Sequence, residues 1–141
     1  MFTRIVATSF LALFLMASAV LAQVPKVKDQ HEYDLILAYQ QENDPVKQMD
    51  RLKQWEAEYP GSEFKGIRSF SMAQVDGQII ARGLLSGSTA EIDAAINAAM
   101  DLLNNIDRYF APGNKPPSLS YDQFNQVRQR LDEQARAALK L

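Results

Sequence analysis

The sequence predicts an all-α protein built from antiparallel helical hairpins stacked in order. Three observations carry that expectation. Apolar residues recur at three and four over several long segments, which is the period of an amphipathic helix. Turn-forming clusters separate these segments at Asn43-Asp44-Pro45, Pro60-Gly61 and Gly87-Ser88-Thr89. There is no cysteine, so disulfides and thiolate metal sites are excluded and the fold must be held by packing.

The amino terminus has a different logic. Arg4 precedes an almost wholly apolar run from Ile5 to Met16, too short for a spanning helix, which needs about 20 such residues. Small residues follow, and Val20-Leu21-Ala22 places small side chains where a signal peptidase reads them. Residues 1–22 are therefore expected to be a signal peptide cleaved after Ala22, giving a periplasmic or secreted protein with no stable membrane insertion. With no cysteine at the new terminus, a lipoprotein-type anchor is not expected. Residues 23–28 read as a polar, flexible leader, and 29–141 as one helical-hairpin domain. The 119 residues left after cleavage suit a single core.

Helix one is expected from Asp29 to Glu42, with Tyr33, Ile36, Leu37 and Gln40 on one face and Leu35, Ala38 and Tyr39 widening it. Asp44 caps a second helix that begins at Pro45, where a missing N–H costs nothing. Its apolar face is Val46, Met49, Leu52, Trp55 and Tyr59, and Pro60-Gly61 ends it. Ser62 is the candidate cap of a third helix carrying Phe64, Ile67, Phe70 and Val75, expected to stop at Gly77. Residues 78–86 fit a short helix or a buried strand, with helix favoured, which makes six helices. Ser88 with Glu91 has the capping-box spacing. The helix after it, through Ile92, Ala95, Ile96, Ala99, Leu102, Leu103 and Ile106, should run to Tyr109. The prolines of Ala111-Pro112-Gly113-Asn114-Lys115-Pro116-Pro117 forbid a regular element. Ser118 or Ser120 then caps a last helix whose inner face is Tyr121, Phe124, Val127, Leu131, Ala135 and Leu139.

Chemistry is sparse. Without Arg4 the chain carries 14 basic and 17 acidic residues, interspersed, which gives no basic stripe for nucleic acid. His31 is the single histidine and lies at a helix start; beside it stand Glu32 and Asp34, too few convergent ligands for a metal site. Glu56, Glu58 and Glu63 around Trp55 and Tyr59 superficially suggest the acid pair of a glycosidase, but they fall on a wet helix end, where neither pKa would be raised. The serines serve as caps and turns rather than nucleophiles, and the glycines form no phosphate-cradling loop. No catalytic, cofactor or metal residues are expected.

The stretch from Glu32-Tyr33-Asp34 to Tyr59-Pro60-Gly61-Ser62, with the Asp44-Pro45 turn inside it, resembles a tetratricopeptide-type helical hairpin. Together with Phe110-Ala111-Pro112 and Lys115-Pro116, it resembles exported bacterial tetratricopeptide-repeat-like proteins of acidobacterial type, in a short or truncated form. That resemblance implies a short tetratricopeptide-like array acting as a non-catalytic scaffold for a protein or peptide. Aromatics concentrated in the first half are expected to be core, with Tyr39 and Tyr59 as candidate peptide contacts. The apolar last helix, with Ala135, Ala137, Ala138, Leu139 and Leu141 in its final turns, also admits a self-assembling homodimer. An envelope enzyme of unfamiliar type would need several carboxylates converging with His31.

Overall fold

The computed structural model describes residues 25–140. The signal peptide, Gln23 and Val24 of the leader and Leu141 lie outside them. Five helices follow one another: α1 Gln30–Gln41, α2 Pro45–Glu58, α3 Lys65–Leu85, α4 Thr89–Tyr109 and α5 Tyr121–Ala138, with one 3₁₀ turn at Pro112–Asn114 before the last. Successive helices pack as antiparallel pairs, and α5 also lies along α3. No helix among the described residues is long and apolar enough to cross a membrane.

Local chemistry sets the helix starts. Asp29 accepts the Glu32 amide at the head of α1, and Asp44 accepts those of Val46 and Lys47 with Pro45 in the first turn of α2. Ser120 and Gln123 form a reciprocal capping box on α5. The expected Ser88 and Glu91 box does not form: the Ser88 side chain makes no cap bond, and Glu91 turns instead to Arg82. Ser62 also differs from its expected role, because α3 starts three residues later, at Lys65. Its hydroxyl accepts the Phe64 amide at 3.1 Å and so shapes the turn before the helix.

The largest difference from the sequence reading is α3. Gly77 does not end it, and residues 78–85 are neither strand nor separate helix; among the described residues there are five helices, not six. This helix is the centre of the molecule, covered by α2, α4 and α5; Gln74, Gln78, Arg82 and Leu85 mark an exposed stripe along its second half, and Leu84 is exposed at its end. A helix buried on most sides has little polar face left to show a period. Its glycines are contact points. A methyl on Gly77 would stand 2.5 Å from Leu131 Cδ2 of α5, and one on Gly83 would stand 2.5 Å from the Glu91 carbonyl oxygen of α4 and collide with Ala95.

One core runs through all five helices, with Leu52, Ala73, Ile80, Leu102 and Ala135 fully enclosed. Near the α4–α5 connection it ends in a knot of three rings: Phe110 lies 5.9 Å from Phe70 and 4.9 Å from Phe124, which is 5.7 Å from Phe70. Asn114 closes that end by donating to the last carbonyls of α4, Arg108 at 2.8 Å and Tyr109 at 3.3 Å. The proline loop is thus a tied cap.

Candidate functional site

Three places on the described chain gather chemistry or exposed apolar surface. The first is the end of the α1–α2 hairpin. Glu32 is fully buried there, whereas Tyr33, assigned from sequence to the inner face of α1, is 45% exposed and Gln40 is also outside. The inner face is Glu32, Leu35, Ile36 and Tyr39, one residue out of phase with the expected one. A carboxylate goes inside because its hydrogen bonds wait there. The Trp55 indole N–H donates to Glu32 Oε1 at 3.0 Å and the Lys28 amide to Oε2 at 2.6 Å. Burial pushes this carboxyl upward, but the bonds from Ser62, Lys28 and Trp55 outweigh it and hold the group below its ordinary value.

Around that buried acid the candidate residues of the sequence fall into surface pairs. His31 Nε2 meets Glu58 Oε2 at 2.5 Å, and the histidine side chain is 59% exposed. The Glu58 contact raises the imidazole pKa above its ordinary value. Asp34 is bonded to Gln30, Glu56 to Arg108, and Glu63 accepts the Lys26 amide. The acids that could have formed a glycosidase-like pair are therefore dispersed among separate partners. Among the described residues no group of three or more His, Cys, Asp or Glu is placed to hold a metal.

Tyr59 sits in the same network. Its hydroxyl donates to Asp29 Oδ1 at 2.7 Å, which pushes the phenol up to about 12, and Lys28 Nζ lies over its ring. Its carbonyl accepts from the buried Arg68 at 2.9 Å, a cation placed where the carbonyls of α2 run out. Tyr39, partly buried against the core, lies near the other end of α1. The hairpin separates the two tyrosines by about the length of α1, roughly 1.5 Å per residue. They share a hairpin but not a pocket.

The second place was not foreseen. Asp76 of α3 is 2% exposed, and its Oδ2 has no hydrogen-bond partner. Asp101 of α4 stands within hydrogen-bonding reach of it and accepts the Tyr109 hydroxyl at 3.1 Å. Burial first, and the Asp101 charge second, push Asp76 up to about 8. Burial likewise drives Tyr109 upward. Sequence offered one weak signal: Asp76 is the one acid between Lys65 and Leu85.

The third place is the opposite end of the bundle from the aromatic knot. The antiparallel order brings together the start of α2, the end of α3, the start of α4 and the end of α5. Val46, Leu84, Leu85 and Leu139 project there, 40%, 38%, 90% and 45% exposed. At the same end Pro45, Val46, Ile79, Ala90 and Ala94 line an apolar groove of about 150 Å³. Its rim is Arg82, which donates to Asp44 at 3.0 Å and to Glu91 at 2.8 Å. The Arg82 bond holds Asp44 low, and a Ser86 hydrogen bond followed by Arg82 does the same for Glu91. Small-molecule sites usually enclose about 300 Å³ or more; this groove suits one side chain of a larger partner. The chain matches no known family, and neither the curated proteins nor the solved structures include a match.

Proposed function

We propose that the protein is a non-catalytic, exported scaffold, a short helical-hairpin array of tetratricopeptide-like type that binds a protein or peptide segment in the periplasm. The observation that carries this is the apolar groove lined by Pro45, Val46, Ile79, Ala90 and Ala94, sized for one anchoring side chain, at the end of the bundle where Leu84, Leu85 and Leu139 also project. Anchors of this kind account for most of the binding energy of many interfaces. On the groove's rim two acids, Asp44 and Glu91, stand against the single cation Arg82, which favours a segment whose apolar anchor is flanked by a basic residue.

Tyr39 belongs to the same end of the α1–α2 hairpin as this groove, and Tyr59 to the other. A partner touching both would run the length of the hairpin. Self-assembly through the apolar end is the competing use. A stable dimer buries about 800 Å² per partner over some 20 residues, and four projecting apolar side chains fall short of that. An enzymatic role would need carboxylates gathered on His31, which pairs with Glu58 on the surface.

The test is selection from a random peptide library displayed on phage, with the purified protein and its Val46→Asp and Leu85→Asp variants as baits. The expected outcome is peptides with an apolar anchor beside Lys or Arg, retained by the parent and lost at least tenfold by both variants. Recovery of the same peptides by all three baits, or no enrichment by the parent, would refute the proposal.

A further inference from the structure

The Asp76 and Asp101 pair plays no part in peptide binding, and it poses a problem of hydrogen-bond accounting. Ionised carboxylates only accept. If both were ionised, Asp76 would keep an orphaned oxygen inside the protein and face a second negative charge from the neighbouring helix. Either condition alone destabilises the folded state, and buried polar atoms of folded proteins are rarely left so. One proton removes both conditions, because a protonated Asp76 donates to Asp101, which already accepts the Tyr109 hydroxyl.

Position explains why the proton would matter. The antiparallel register that sets Gly83 against Ala95 and Phe70 against Phe110 places position 76 level with position 101. The pair thus spans the middle of the α3–α4 seam, with the fully enclosed Ala73, Ile80 and Leu102 nearby. The titratable groups acting on Asp76 are Asp101 from α4 and, with the opposite sign, Lys53 from α2; Tyr109 is charge-coupled to it. From α5 the neighbours at Gly77 are the neutral Leu131 and Gln134. Lys53 is exposed and does not neutralise the pair.

We propose that Asp76 and Asp101 share a single proton across the α3–α4 seam, and that its loss in alkaline solution loosens α4 from α3. The fold then carries a proton-operated latch, closed in acid and neutral solution. For an acid whose folded pKa is raised, stability is greatest below the unfolded value and is lost as pH rises toward the folded one. With Asp76 raised from 3.8 to about 8, the loss extends across that window and levels off above it.

The test compares the parent protein with Asp76→Asn and Asp101→Asn by chemical unfolding between pH 5 and 9, with carbon NMR of the aspartate carboxyls. Asparagine at 76 can donate to Asp101 without a proton. The unfolding constant of the parent relative to Asp76→Asn should rise up to tenfold per pH unit below about pH 8 and then flatten. His31, which titrates in the same range, is present in both proteins and cancels. The Asp76 carboxyl signal should titrate well above the ordinary carboxyl range, and Asp101→Asn should move its midpoint down. The proposal is overturned by an Asp76 midpoint in the ordinary carboxyl range, by one unmoved in Asp101→Asn, or by parallel stability profiles for the parent and Asp76→Asn. If Asp76→Asn fails to fold, the NMR titration of the parent and Asp101→Asn decides alone.

Discussion

Glu32 and Trp55 show how a charged side chain becomes core. The carboxylate is enclosed because an indole N–H, a backbone amide and a serine hydroxyl converge on it from α2, the leader and the α2–α3 turn. Removing the donor and keeping the ring should therefore cost more than its small loss of apolar surface suggests. Trp55→Phe is expected to lower the unfolding free energy by about 1–3 kcal/mol, the usual penalty for a buried acceptor left short of a partner. Urea titration measures it, and in a Glu32→Met background the same substitution should cost clearly less. This pairing could not be seen in the sequence. A period count assigns Glu32 to water because it is charged, and so shifts the inner face of α1 to Tyr33 and Gln40. Asp44, Pro45 and Ser120 were legible for the opposite reason: their partners lie within three residues.

At the scale of elements, the informative case is α3. Its glycines look like stops, yet Gly77 and Gly83 lie inside a helix of 21 residues, each under a neighbouring helix. Glycine in a helix interior sacrifices about 1 kcal/mol relative to alanine, so alanine would gain at an open site. At Gly83 the new methyl would meet the Glu91 carbonyl, which the backbone of α4 fixes, and Gly83→Ala should destabilise by about 1–3 kcal/mol. At Gly77 it would meet the end of the Leu131 side chain, which can rotate. Gly77→Ala should thus be near neutral in the same thermal or urea unfolding assay, and a larger loss at 77 than at 83 would contradict this packing. The other helices were readable to within a few residues because each keeps a wet side. The centre of the bundle keeps almost none, and there local sequence signals are ambiguous by nature.

For the molecule as a whole, two sets of titrating groups pull in opposite directions. Asp29, Asp44, Glu58, Glu91 and Asp132 are held below their ordinary values by hydrogen bonds and cations. Their contribution is present in full above the ordinary carboxyl range and is lost as pH falls through the lowered values. His31 is raised by Glu58, so its contribution is complete below about its ordinary 6.5 and is lost as pH rises through the raised value. Asp76, raised to about 8, acts in the same direction as His31. Thermal midpoints measured across pH should therefore peak on the acid side of neutral and decline toward both extremes. A maximum above pH 8 would be inconsistent with both raised groups. Neither Asp76 nor the groove could be assigned from sequence, since each depends on helices distant in the chain meeting at a given level. The all-helical class and the hairpin order, which depend on local period and turns, could be.

The order of packing has a kinetic consequence as well. Each helix lies against the next in the chain, so most of the structure can form by closing short loops, the topology associated with folding in microseconds to milliseconds. The largest seam between elements that are not neighbours is α5 on α3, and it must wait until residues 110–120 bring Phe124 to Phe70. The tied proline loop is therefore positioned to govern the last step of folding, after the four-helix part has already formed.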